Sequence, residues 1–71
     1  MGTKANPSPY DCYAKAEPDE PMFILLARDR AAPHLIRKWA RWSKNAGTDP
    51  AKIAEARKCA DDMIAWRRER R

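Results

Sequence analysis

The sequence predicts a mainly α protein: an antiparallel two-helix hairpin with an N-terminal extended arm and a short apolar segment, assembled as a homo-oligomer. Three observations predict it. Residues Asp29 to Ala46, wound at about 100° per residue, separate an apolar side from a basic one. Thr48-Asp49-Pro50 then opens a second run of helix-favouring residues, which leaves about three residues of connection and hence antiparallel neighbours. Finally, 71 residues bury too little apolar surface for a comfortable monomer, and three tryptophans need a cover.

Residues 1–19 read as a polar arm punctuated by Pro7, Pro9 and Pro18, without periodicity and mobile in isolation. Its apolar anchors are Tyr10, Cys12 and Tyr13, and the tyrosine pair suits packing onto a neighbouring chain. Residues 20–71 form the hairpin domain, with helices expected over about 30–46 and 50–68. Before the first helix, Met22 to Ala27 is an apolar run too short for periodicity to assign. Its residues mix strand and helix formers, and an extended or single-turn segment buried against the helices is the expectation.

Asp29 can cap the first helix through its carboxylate, although Pro33 would then remove a real hydrogen bond, so regular helix can equally begin at Pro33. Leu35, Ile36, Trp39, Trp42 and Ala46 share one side, while Arg30, His34, Arg37, Arg41 and Lys44 lie within roughly 40° of one line on the other. Gly47 stops this helix. In the second, Ile53, Ala56, Ala60, Met63, Ile64 and the stem of Arg67 form the inner face, with alanines at its centre for close approach. Trp66 stands about 100° off that face. Arg57–Asp61 and Lys58–Asp62 are spaced for ion pairs, and the closing Arg67-Arg68-Glu69-Arg70-Arg71 suits the negative end of a helix dipole.

Charge follows the same division. Residues 1–27 hold two lysines against four acids, a balance of −2, whereas residues 28–71 hold thirteen Lys or Arg against six acids, a balance of +7. A cationic helical part favours phosphates, nucleic acid or an acidic protein surface. No acid interrupts Arg30 to Lys44, unlike the mixed signs of an ordinary solvated face. Arg28, Arg30, Arg37 and Arg41 are thus candidate phosphate contacts, with His34 in the same stripe. Trp66, or Tyr10 and Tyr13 of the arm, would cover a base.

Catalytic and metal patterns are lacking. One histidine among cations is a poor general base, Asp61 and Asp62 point to different sides, and two cysteines without Cys-x-x-Cys spacing make no zinc finger. A non-enzymatic protein with no metal and no cofactor is expected. Asn6 breaks the myristoylation pattern that Met1-Gly2 begins. The apolar run is too short for a signal peptide or a membrane span, so a cytoplasmic chain with free Cys12 and Cys59 is expected, although two cysteines permit one bridge.

Glu20-Pro21-Met22-Phe23 with Leu25 and Asp29, then Ala32-Pro33, Trp39-Ala40, Glu55-Ala56-Arg57, Cys59-Ala60, Met63 and Trp66, resembles small proteins encoded in tailed-phage genomes, most of them without an assigned function. The resemblance covers residues 19–66 and rests on scattered single residues rather than a catalytic motif. It implies a mostly helical protein in the cytoplasm of an infected bacterium. Phage proteins of this size commonly act by binding, and by analogy the resemblance implies an anti-defence role: a sponge for a cyclic oligonucleotide messenger, whose phosphates and bases suit arginines and aromatic rings. The alternatives are a DNA- or RNA-binding protein using the basic helix, and an inhibitor of a host immune protein of the CRISPR type.

Overall fold

The computed structural model describes residues 1–70, so Arg71 of the terminal basic cluster lies outside the described residues. Among the described residues, one 3₁₀ turn, Cys12–Ala14, precedes two helices, α1 (Ala32–Asn45) and α2 (Pro50–Glu69). The helices pack on each other as a hairpin, and the described residues include no strand.

The turn between the helices is set by local chemistry. Gly47 takes the left-handed backbone at φ 82°. Its amide donates to the Lys44 carbonyl and the Thr48 amide to the Ser43 carbonyl, satisfying the last carbonyls of α1. Two residues on, the Asp49 carboxylate accepts the Ala51 amide at 2.9 Å, and Pro50 occupies a first-turn position where no amide is needed. A Cβ at Gly47 would meet nothing within 4 Å, so Gly47→Ala tests the backbone alone. It should cost about 1–2 kcal/mol, read as a lowered melting temperature, while Gly47→Asn should lose less.

The start of α1 resolves the choice between Asp29 and Pro33. Helix begins at Ala32, the Ala31 N-cap has no side-chain hydrogen bond, and Pro33 lies in the first turn. Asp29 acts one step earlier: its carboxylate accepts the Ala31 amide at 2.9 Å and shapes the turn leading in.

Buried residues are small. Ala32, Pro33 and Ala40 of α1 face Ile53, Ala56 and Ala60 of α2. The inner face expected for α2 is therefore present, with Met63, Ile64 and Arg67 half-buried at its edge. On α1, however, the packed face is centred on Ile36 and Ala40, and Leu35, Trp39 and Trp42 stand about 90° round from it, exposed. Close packing selects the alanines, because two backbones approach only where side chains are short.

The arm folds back along α2. The Met1 ammonium lies 2.6 Å from Asp11 and 2.7 Å from Glu55, and it also donates to Ser8 Oγ. Hydrogen bonds from that ammonium hold both carboxyls below their usual range. For the ammonium, partial burial opposes the charge, but the two carboxylates outweigh it and raise its pKa. Tyr10 Oη donates to Asp49 Oδ2 of the same chain at 3.4 Å, whereas Tyr13 is exposed. The apolar run departs from expectation. Met22, Phe23, Ile24 and Leu26 are exposed rather than buried, because the alanine-lined hairpin seam has no room left for them. Both cysteines are free thiols, and burial pushes the Cys59 thiol up.

Candidate anion-binding cleft

An antiparallel hairpin sets the first turn of α1 beside the last turns of α2. Arg28 and Arg30 lie in the turn before α1, and His34 one turn inside it. Trp66, Arg67 and Arg70 come from the end of α2. These six residues line an open cleft of about 580 Å³. Among the described residues no carboxylate lines it, the nearest being Glu69, whose Oε2 lies 3.9 Å from Arg70 Nη1. Four guanidinium groups share one concave surface, beside a helix terminus whose dipole they offset.

Trp66 forms the planar wall. Arg70 lies over its ring at 4.0 Å from the centroid, and Arg70 Nη1 donates to the Trp66 carbonyl at 3.4 Å. That guanidinium shows how a flat cationic or aromatic group stacks here. Trp66 and Arg28 also border a second recess of about 490 Å³, between the arm and α2, where Leu25, Leu26 and Met63 supply apolar walls. Trp66 thus stands between a basic cleft and a more apolar one. Among the described residues no three of His, Cys, Asp or Glu gather to hold a metal.

Of the residues singled out in the sequence, the fold brings Arg28, Arg30, His34 and Trp66 together. Arg37 and Arg41 do not line the cleft. Arg37 lies farther along α1, where its Nη2 donates to Asp61 Oδ1 at 2.8 Å, so this cation is already partnered across the hairpin. Asp61 therefore pairs with Arg37 rather than with Arg57, while Lys58–Asp62 forms at 2.9 Å as spaced. Tyr10 is held at the opposite end of the hairpin by Asp49, and neither it nor Tyr13 reaches the cleft.

Arg67 and Arg70 were not singled out as ligand contacts. The signal for them lies in topology, since an antiparallel hairpin with so short a connection places 66–70 beside 28–34. No helix among the described residues is long and apolar enough to cross a membrane. Compared with protein-family models, with curated proteins and with solved structures, the chain matches none.

Proposed function

We propose that this protein is a non-enzymatic binder that sequesters an anionic nucleotide, of the cyclic oligonucleotide messenger class, in the cleft between the start of α1 and the end of α2. One observation carries the reading: four arginines, a histidine and a tryptophan ring line a single cleft, with no carboxylate among its described lining residues. Arginine forks onto phosphate oxygens with two parallel bonds, and an aromatic ring stacks on a base for about 1–3 kcal/mol. A nucleotide offers both chemistries within the reach of one such cleft. Arg28, Arg30 and Arg67 would hold phosphate, and a base would lie on Trp66 in the manner of Arg70. The working unit is a homo-oligomer. The resemblance to phage-encoded proteins would make the role anti-defence, by withdrawing a messenger in the cytoplasm of an infected cell.

Calorimetry against cyclic di- and trinucleotides and linear mononucleotides tests this directly. Binding at micromolar concentration, with tryptophan fluorescence quenched, is the expected result. Absence of heat with every nucleotide defeats the reading. Affinity for duplex or single-stranded nucleic acid that falls steeply with salt, without affinity for small nucleotides, would replace it with backbone binding along the basic helix.

A further inference from the structure

We infer that the exposed apolar segment Met22–Leu26, together with the Leu35, Trp39 and Trp42 stripe of α1, is the surface on which a second copy of this chain docks. The inference rests on the homo-oligomer in the proposed function and not on its ligand.

Exposure is the first observation. Phe23 is 83 % exposed, Ile24 58 % and Trp42 63 %. Large side chains at that exposure are ordinary one at a time; gathered together they mark an interaction surface.

They are gathered. Lys52 Nζ lies 5.7 Å from the Trp39 ring, so the tryptophan stripe borders the α2 flank that carries Lys52. Glu55, Cys59 and Trp66 continue that flank at helical spacing. It is where the arm lies, through the Met1–Glu55 ion pair and the recess that Leu25 and Leu26 share with Cys59 and Trp66. Segment and stripe therefore occupy one side of the hairpin. Arg37–Asp61 marks the other.

The occupant follows from area. A compact monomer of 8.2 kDa exposes about 4,500 Å². This chain exposes 6012 Å², an excess of about 1,500 Å² over that scaling. A standard interface takes about 800 Å² from each partner, so one symmetric contact removes about half of this excess from each chain. The radius of gyration agrees, at 12.5 Å against about 11 Å for a compact chain of this length.

Backbone chemistry adds a reason for self-association. Among the described residues, none of the amides of Met22 to Leu26 donates a hydrogen bond, and of the carbonyls in that stretch only that of Leu26 accepts one, from the Asp29 amide. A short apolar stretch with free donors and acceptors is a template for strand pairing. Pairing it with its own copy about a two-fold axis satisfies both chains at once, as an isologous contact requires. Phe23 and Ile24 then leave water with the tryptophans.

Sedimentation equilibrium of the full chain, in the absence of any nucleotide, gives the test. At micromolar concentration the particle should have the mass of two chains or a closed multiple, with the Met22–Leu26 amides protected from hydrogen exchange. Phe23→Asp and Trp42→Glu alter side chains that are mainly solvent-exposed in the monomer, so helical circular dichroism should persist while the dissociation constant rises at least a hundredfold. A monomeric wild-type chain overturns the inference, and its binding to anionic vesicles would assign the surface to a membrane instead. An oligomer unchanged in both variants also overturns it. Either failure leaves the calorimetric test of nucleotide binding intact.

Discussion

Ala60→Leu will lower the melting temperature by roughly 5–20 °C, the largest stability effect expected of a single substitution here. Ala40, Ala56 and Ala60 are fully buried, and they set how closely the two helices approach. The Arg37–Asp61 pair fixes the antiparallel register, which puts Ala40 opposite the stretch between Ala56 and Ala60. Leucine at position 60 adds three carbons where two backbones nearly meet, and it can enter only by spreading the hairpin. Overpacking of this kind costs about 1–3 kcal/mol. A chain of this size has about 4–10 kcal/mol in all. Ala54→Leu, on the exposed side of the same helix, is the control and should change little. Thermal melts followed by circular dichroism decide the matter: equal melting points for the two variants would mean that the alanine seam does not hold the hairpin.

That seam also shows where the sequence is readable and where it is not. Local chemistry was legible. Asp49-Pro50 and Gly47 mark a helix start and stop whose hydrogen bonds depend on neighbouring residues only, and both form as expected. The inner face of α2 was legible too, because its apolar and small residues coincide. On α1 they separate. The bulkiest apolar residues, Leu35, Trp39 and Trp42, define the most hydrophobic side, yet the helix packs through Ala32, Pro33, Ile36 and Ala40. Hydrophobicity ranks side chains one at a time, whereas helix packing ranks the distance between axes. The same limit explains Met22–Leu26: its apolarity was plain, but whether the hairpin had room for it depended on packing.

The candidate cleft divides in the same way. On its α1 side, Arg30 and His34 belong to a stripe uninterrupted by acids, with Arg28 just beyond Asp29. Its α2 half needed the hairpin register, which brings Arg67 and Arg70 from more than thirty positions away. The register also gives Arg37 a partner, Asp61, through a contact that no spacing rule within one helix contains. What had been a continuous basic stripe becomes two environments. One is a cleft that gathers four guanidinium groups, and the other is a solvated face around Arg37 and Arg41.

These two environments predict different responses to substitution. Arg30→Gln and Arg67→Gln should each weaken nucleotide binding by at least tenfold, because a charge-assisted hydrogen bond contributes about 1.5–3 kcal/mol. Combined, they should weaken it by a hundredfold or more. Trp66→Leu keeps an apolar side chain but loses the flat face, and about tenfold of affinity should go with it. Arg41→Gln removes the same charge from the neighbouring face and should change affinity by less than about twofold, given that an exposed charge a Debye length away is largely screened. Calorimetry on the four single variants and the double variant at one salt concentration measures the set. The contrast between Arg30 and Arg41 matters more than any single value. Nucleic acid laid along the basic stripe would meet Arg30 and Arg41 alike, so Arg41→Gln would then cost as much as Arg30→Gln. A bounded ligand in the cleft meets Arg30 and Arg67 across two helices and leaves Arg41 in water. Equal losses at Arg30 and Arg41 would therefore transfer the binding site from the cleft to the length of the helix.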